Sequence, residues 1–300
     1  MIDALAVTIA RVGIRGLVAL PLERALALGR FVGDVCYHVL RLRRRVVLAN
    51  LAHVLGDRTT EAERREIAAE SYRQFAMNVV EVARGLHAPE EVRGLVEIPQ
   101  AERVRAMQKA GEPLILCIPH AGSFDRAGCG AAHLGVELHA MMTPVKSPRF
   151  NELLVASRER VGLRVLLKGE ESFHEMFDLL DEGKTVALLP DQNARRGVTV
   201  NFLGKPAVTF QGPAVLHLVT GAPLAIAIDR RRRDDPRRHD AEVRFLPPYT
   251  PTGKRKEDIR AVTQQLCDVM GEMILEAPEQ YLWLHRRWGK EVTRGEATPA

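Results

Sequence analysis

Beyond about residue 95 the chain alternates between short apolar runs and amphipathic helical patterns, and this alternation limits its possible folds more than any other feature. The apolar runs that predict strands lie at 114–118, 137–142, 164–167, 185–189, 224–228 and 242–246. The helical patterns between and after them lie at 124–134, 148–161, 171–182, 210–220 and 255–276. Strands that alternate with helices build layered α/β folds. The pattern therefore predicts a mostly parallel central sheet flanked by helices.

The first third of the chain has a helical pattern throughout. We expect a helical amino-terminal region over residues 1–90 and an α/β core over residues 91–300, as one structural domain overall. No apolar run in it approaches the ~18 residues that a membrane-spanning helix requires. The cluster Arg41-Leu42-Arg43-Arg44-Arg45 follows apolar helices, which is typical of proteins that lie on anionic membranes. Amphipathic helices that pack on the protein's own core explain the same pattern, so both roles stay open.

A histidine and an aspartate follow the first predicted strand, in the stretch LILCIPHAGSFD at residues 114–125. Gly122 and Ser123 predict a turn into a helix, with Ser123 at the N-cap. Positions five apart on a helix point about 140° away from each other, so His120 and Asp125 can meet only if the histidine lies on the loop before the helix. A histidine oriented by a carboxylate can act as a general base. A histidine near an acid is more often structural or solvated, and spacing alone does not decide between the two roles.

Composition and missing motifs narrow the chemistry. A formal net charge of +5 favours anionic partners such as acidic lipid headgroups, phosphorylated cofactors or nucleic acid. Aromatic residues make up only 5% of the chain and do not alternate with a basic stripe, which argues against nucleic acid. The phosphate-loop, dinucleotide-binding, zinc-helix and serine-elbow motifs are missing. The four cysteines have no CxxC or metal-ligand spacing, so we expect no metal site and a reducing compartment.

Three further stretches carry polar or aromatic residues that suit a binding site. Pro190-Asp191-Gln192-Asn193 follows a predicted strand, so a parallel sheet would bring it to the same edge as His120. Phe202-Leu203-Gly204-Lys205-Pro206-Ala207 leads to Gln211-Gly212-Pro213-Ala214 and predicts a Gly/Pro-rich loop that feeds a helix. The sequence YLWLHRRW at residues 281–288 is aromatic and basic. The structural alternatives for these stretches are a loop, a turn and carboxy-terminal packing.

Together these stretches resemble the bacterial lipid A late acyltransferases of the lysophospholipid acyltransferase superfamily, with the phosphatidylinositol mannoside acyltransferases as near relatives. The resemblance covers nearly the whole chain and depends on the order of motifs that are weak individually. These motifs are the arginine cluster with Ala49-Asn50-Leu51, His120 with Asp125, Asn151-Glu152-Leu153-Leu154 with Arg158 to Arg160, Leu189-Pro190-Asp191-Gln192, Phe202-Leu203-Gly204, Gly212-Pro213-Ala214, Gly221-Ala222-Pro223, and YLWLHRR at 281–287. Many lipid A enzymes have glutamate where this chain has Asp125, and an aspartate is common in glycerol-phosphate and mannoside acyltransferases, which leaves the acceptor open.

The resemblance implies an O-acyltransferase that moves a fatty acyl chain from an acyl carrier protein or coenzyme A thioester to a hydroxyl of a membrane glycolipid or phospholipid, without a further cofactor. It implies His120 as the base and Asp125 as the partner that orients it. It implies substrate-binding or positioning roles for Arg158, Asp191, Gln192, Asn151 and Gly204. It also implies a peripheral or monotopic position on the anionic cytoplasmic face of the bacterial inner membrane.

Three other functions stay open at this point. A peripheral lipid-binding protein would keep the fold without catalysis, although intact His120 and Asp125 argue against it. A hydrolase of acyl thioesters would consume the donor at full rate without any acceptor. A nucleic-acid binder is the least supported, and it would show salt-sensitive binding to nucleic acid strands.

Overall fold

The computed structural model describes residues 12–85, 94–169, 172–194 and 196–294. The amino-terminal part is helical, and the predicted boundary at 90–91 lies outside the described residues. Its helices are α1 (residues 12–19), α2 (Leu22–Asp34), a π-helical turn (Val35–Val39), α3 (Arg44–Leu55) and α4 (Glu61–Gly85). Helix α4 begins with a capping box, in which the Glu63 carboxylate accepts the Thr60 N–H at 2.7 Å and the Thr60 hydroxyl accepts the Glu63 N–H at 3.3 Å.

The remainder is built around one central sheet. The strands in chain order are β1 (Val96–Glu97), β2 (Leu114–Cys117), β3 (Leu138–Met142), β4 (Leu163–Leu167), β5 (Thr185–Leu188), β6 (Val198–Phe202), β7 (Lys205–Thr209), β8 (Leu224–Arg231) and β9 (His239–Phe245). Seven of them form the sheet, in the order β1-β9-β8-β2-β5-β3-β4. Its neighbouring strands are parallel except for the pair β8 and β9. The predicted α/β fold with a mostly parallel sheet is confirmed.

Helices cover both faces of this sheet. They are α5 (Ala101–Lys109), α6 (Phe124–His133), α7 (Pro148–Arg160), α8 (Ser172–Asp181), α9 (Gly212–Thr220), α10 (Arg255–Leu275), a 3₁₀ turn (Pro278–Gln280) and α11 (Gly289–Arg294). Strand β2 shows why its apolar run is unbroken. Ile115 and Cys117 belong to one hydrophobic core and Leu114 and Leu116 to the other, because successive side chains point to opposite faces of the sheet.

The stretch predicted as a Gly/Pro-rich loop forms most of a β-hairpin, so the loop prediction is wrong, whereas the helix predicted to follow it is present as α9. Strands β6 and β7 pair antiparallel, from Val198 with Thr209 to Phe202 with Lys205. The turn residues Leu203 and Gly204 both have positive φ angles, of 53° and 77°, as in the tightest hairpin turns. Glycine at the second turn position suits such a turn, and burial alternates along the flanking strand β6.

The amino-terminal helices expose apolar side chains. Leu28, Phe31 and Val32 recur at helical spacing on α2, and Val39 and Leu40 follow at the π-helical turn. We call these five side chains the amino-terminal apolar surface. Among the described residues, no helix is both long enough and apolar enough to cross a bilayer.

Candidate active site

The register of two parallel strands brings His120 and Asp191 to the same level of the sheet. Cys117 at the end of β2 pairs with Leu188 at the end of β5. His120 and Asp191 each follow three residues later, and a proline precedes each of them. The two side chains therefore meet at the carboxyl edge of the sheet, which is the usual position for active-site groups in such folds.

A single carboxylate holds His120 at two atoms. Asp191 Oδ1 lies 2.7 Å from the imidazole Nδ1, and Asp191 Oδ2 accepts the backbone N–H of His120 at 2.9 Å. Asp191 is only 2% exposed, and burial and the charge of Asp191 raise the pKa of the nearby Tyr281 hydroxyl. Because a carboxylate only accepts, Nδ1 carries the proton, and the lone pair of the neutral ring lies on Nε2. His120 therefore presents Nε2 as a base.

The acid that was expected to orient His120 has another partner. Asp125 forms a two-point ion pair with Arg158 of α7, in which Nε lies 2.7 Å from Oδ1 and Nη2 lies 3.2 Å from Oδ2. The expected hydrogen bond between Asp125 and His120 is thus wrong for this structure. Asp191, which follows the neighbouring strand β5, occupies the Nδ1 position instead.

The charges around His120 make it a stronger base than a free imidazole. Burial opposes protonation of the ring, but the charge and hydrogen bond of Asp191 and the charge of Asp125 raise the pKa of His120. Burial likewise opposes ionisation of Asp191, yet its contacts with His120 lower the pKa of Asp191. Burial lowers the pKa of the nearby His285. The site therefore keeps an ionised carboxylate beside an imidazole that takes up a proton readily.

The Nε2 atom of His120 faces the side chain of Gln192. The Gln192 amide nitrogen lies 3.1 Å from Nε2 and donates to its lone pair when the ring is neutral. The ring of Phe124 packs edge-on against the imidazole with a centroid separation of 5.5 Å, which fixes the plane of the ring. The Gln192 amide thus occupies the position directly in front of the Nε2 lone pair.

His120 opens into a cleft of about 1080 Å³ at the carboxyl edge of the sheet. Much of its lining is apolar, and we call it the polar cleft because it also contains charged side chains. Its polar lining includes His120, Asp125, Thr143, Arg158, Lys168, Gln192, Asn193 and Arg196. Lys168 follows β4 and Arg196 follows β5, and both are exposed. The exposed cations of the polar cleft therefore suit a large substrate that carries anionic groups.

A second cavity of about 340 Å³ reaches His120 from the helical side, and we call it the apolar groove. Its apolar lining includes Ile14, Phe75, Val79, Val82, Phe150, Leu153, Leu154 and Leu282. Four residues line both the groove and the cleft, namely His120, Phe124, Asp125 and Leu154. The imidazole therefore lies where a cavity with several charged side chains meets a more strongly apolar one.

Two residues predicted to bind substrate lie outside both cavities. Asn151 accepts the Val145 N–H on its Oδ1 at 3.2 Å, which closes the turn ahead of α7. Gly204 lies in the hairpin turn, whereas Ala194 and Phe210, at the open end of the same hairpin, line the cleft. The structure gives both residues local conformational roles, and their positions do not support substrate binding.

The carboxy-terminal segment supports the site, a role that the sequence did not reveal. The Leu282 N–H donates to the His120 carbonyl at 2.9 Å, one residue beyond the Tyr281 that contacts Asp191. The sequence marked this segment as aromatic and basic. No local pattern shows that it packs against a loop more than 150 positions earlier in the chain.

Asn50 anchors this segment from α3. Its Nδ2 donates to the carbonyl of Trp283 at 2.8 Å and to the carbonyl of His285 at 2.7 Å. Trp283 in turn stacks with Trp288 at a centroid separation of 6.4 Å. Asn50 thus joins the amino-terminal helices to the segment that supports His120.

Comparison with known proteins identifies the family. The family model described as bacterial lipid A biosynthesis acyltransferase matches residues 4–290. The chain is 25% identical over 289 residues to the lipid A biosynthesis lauroyltransferase of Escherichia coli (strain K12), covering 94% of this chain and 90% of that protein. It is 28% identical over 195 residues to the phosphatidylinositol mannoside acyltransferase of Mycobacterium tuberculosis (strain ATCC 25618 / H37Rv), covering 62% and 58%. The chain therefore belongs to the bacterial lipid A biosynthesis acyltransferase family.

Proposed function

We propose that this protein transfers a fatty acyl chain from an acyl carrier protein or coenzyme A thioester to a hydroxyl of a membrane glycolipid or phospholipid. Membership of the family supports acyl transfer to a glycolipid as the class of reaction. The observation that carries the finer proposal is the position of His120. Its Nδ1 is bound to a buried carboxylate, and its ring stands where the polar cleft and the apolar groove meet.

The proposed chemistry is general-base catalysis. His120 Nε2 takes the proton of the acceptor hydroxyl as the hydroxyl oxygen attacks the carbonyl carbon of the thioester. The resulting tetrahedral intermediate collapses, the C–S bond breaks, and the departing thiolate receives the proton from Nε2. Asp191 holds the required tautomer and stabilises the imidazolium, in agreement with its contribution to the raised pKa of His120.

We propose that the two cavities bind different parts of the substrates. We assign the acyl chain to the apolar groove, because each buried methylene contributes about 0.8 kcal/mol. The mouth of the groove is apolar as well, since Phe75, Val79 and Phe150 line it and remain partly exposed. We assign the polar parts of donor and acceptor to the cleft, where Lys168 and Arg196 suit phosphate groups. This arrangement brings the thioester carbonyl to His120.

The amino-terminal helices are the proposed membrane contact, on the cytoplasmic face of the bacterial inner membrane. The amino-terminal apolar surface is well exposed, with 63% exposure for Phe31 and 71% for Val39. Arg41, Arg43 and Arg45 follow it and are also exposed. Apolar side chains beside arginines favour binding to anionic bilayers without a spanning helix.

The test supplies the purified protein with acyl carrier protein and coenzyme A thioesters, together with lipid A precursors, phosphatidylinositol mannosides or lysophospholipids, and follows acylated lipid by mass spectrometry. We expect His120→Ala to lose transfer while remaining folded, and His174→Ala, an exposed histidine on α8, to retain it. A folded His120→Ala protein with the wild-type rate would refute the assignment of the base. Thioester consumption without acceptor would instead identify a hydrolase, and binding of lipid without turnover would identify a lipid-binding protein.

A further inference from the structure

A third acid lies at the level of His120, on the side opposite to Asp191. Cys117 of β2 pairs with Ile226 of β8, and Asp229 follows three residues later. Asp229 is 1% exposed and lies outside both the polar cleft and the apolar groove. We call residues 118–123, which connect β2 to α6, the His120 loop. The pairing of β2 with its two neighbours therefore places Asp191 on one side of this loop and Asp229 on the other.

Asp229 fixes the loop between His120 and α6 in two ways. Its Oδ2 accepts the backbone N–H of Ser123 at 2.7 Å. Its carbonyl oxygen fills the space beside Gly122, where a Cβ atom would lie only 2.0 Å from it. Gly122 has a φ of 59°, so this position requires glycine for both conformation and space.

A second histidine connects Asp229 to the helical region. His239 Nδ1 lies 2.7 Å from Asp229 Oδ2, and His239 Nε2 lies 3.1 Å from Glu81 Oε1. Both ring nitrogens face carboxylates, so the ring donates from both and is a cation. His239 is fully buried and cannot touch a substrate, so its role is structural support rather than proton transfer to the reactants.

Glu81 ties this chain of contacts to α4. Its Oε1 accepts a hydrogen bond from Arg231 Nη1 at 2.6 Å, and its Oε2 accepts one from Arg231 Nη2 at 2.8 Å. Oε1 also accepts a hydrogen bond from Arg126 Nη1 at 3.0 Å. Arg231 also donates to Asn78 Oδ1 at 2.9 Å, and Asn78 Nδ2 donates to the Gly122 carbonyl at 2.6 Å. Helix α4 therefore lines the apolar groove and also holds the His120 loop at two places.

We propose that Asp229, His239 and Glu81 are positioning residues for His120, forming a buried brace that joins the loop of the base to the helix that lines the apolar groove. The inference rests on the proposed function, because it concerns the same site. Each charge in the brace is desolvated and paired, so removing one partner leaves another uncompensated and releases the loop. A displacement of about 1 Å at a catalytic group reduces turnover about 10²-fold.

The test compares Asp229→Ala and Asp229→Asn with Asp258→Ala. Asp258 is a matched control because it is also a buried aspartate, lies outside both cavities and accepts the Tyr249 hydroxyl and the Thr252 N–H, each at 2.9 Å. We expect Asp229→Ala to lower kcat about 10²-fold with the KM for the thioester changed by less than about threefold. Asp229→Asn keeps an oxygen for the Ser123 N–H and should lose less.

The pH profile separates positioning from general destabilisation. If the loop moves, His120 leaves Asp191, and the acid limb of kcat/KM should shift to lower pH in Asp229→Ala. Asp258→Ala should lower the melting temperature without shifting that limb. A folded Asp229→Ala protein with wild-type kcat would overturn the proposal, as would equal kcat losses in the two alanine variants. If Asp229→Ala does not fold, the same measurements of kcat and of the pH dependence of kcat/KM on Asp229→Asn test the proposal. If His120→Ala stays active, the proposed function fails instead.

Discussion

Asp191 binds the imidazole and the backbone of His120 with the two oxygens of one carboxylate. The ring and the loop that carries it are therefore fixed by the same buried group. Asp125 contributes its charge to His120 but gives its hydrogen bonds to Arg158. The two acids near the base thus have different contacts and should respond differently to substitution.

We expect Asp191→Asn to lower kcat about 10³- to 10⁴-fold, because the amide no longer holds the Nδ1–H tautomer or stabilises the imidazolium. Asp125→Asn should lower kcat about tenfold, because it weakens only the ion pair with Arg158 and a through-space charge. Steady-state kinetics on both folded variants measure the difference. A loss in Asp125→Asn as large as that in Asp191→Asn would return the orienting role to Asp125.

The pH profile of kcat/KM should show the raised pKa of His120. A base must be neutral to act, so the wild-type rate should rise with pH through a pKa above the ordinary value of 6.5. Asp191→Asn removes the charge that raises this pKa and leaves the burial that lowers it. The acid limb of kcat/KM should therefore move to lower pH in Asp191→Asn, even though the maximum value of kcat/KM is lower than in the wild type. An acid limb that stays in place would show that Asp191 does not set the pKa of the base.

Asn50→Ala should lower the free energy of unfolding by about 1–3 kcal/mol, because two carbonyls of the carboxy-terminal segment lose their buried donor. Gln265→Ala is the control. Its amide donates one hydrogen bond, to Pro247 at 3.2 Å, at an exposed site. Its loss should stay within about 0.5 kcal/mol. Urea denaturation of both variants gives the comparison, and equal losses would contradict the anchoring role of Asn50.

Phe31→Ser combined with Leu40→Ser should weaken binding to vesicles that contain anionic lipid, because both side chains belong to the amino-terminal apolar surface. Val219→Ser is a matched control, since Val219 is 64% exposed and Phe31 is 63% exposed. Flotation of the proteins with vesicles measures the bound fraction. If Val219→Ser weakens binding as much as the double variant, the proposed membrane contact is in the wrong place.

The sequence predicted the layered architecture well because the signal for it is local. The run at 114–118 is apolar on both faces, and this marks a strand buried in a parallel sheet. Strand β6 of the hairpin alternates instead, with Val200 and Phe202 buried and Thr199 and Asn201 exposed. Gly204 in the turn and Pro206 in β7 obscured that alternation. The hairpin was not predicted because the glycine and proline residues indicated a loop more strongly than the short alternating pattern indicated a strand.

The site was predictable as a region but not as a set of contacts. Because the carboxyl ends of parallel strands meet at one edge of a sheet, the sequence predicted that His120 and Asp191 lie at the same edge, although the strand register was unknown. Which acid reaches Nδ1 depends on the pairing of Cys117 with Leu188, and no local pattern encodes that pairing. The same holds for Asp229, which carries no motif of its own and becomes significant only when β8 lies beside β2.

Asp191 also accepts the backbone N–H at position 120, and this hydrogen bond does not depend on the side chain at that position. In His120→Ala the carboxylate keeps this bond, and the missing ring leaves a space bounded by Asp191, Gln192 and Phe124. Free imidazole is the molecule that fits this space and finds an acceptor for its N–H. Imidazole added in solution should therefore restore part of the acyl transfer that His120→Ala loses. The Asp191→Asn variant still has the imidazole of His120, so added imidazole should not increase its activity.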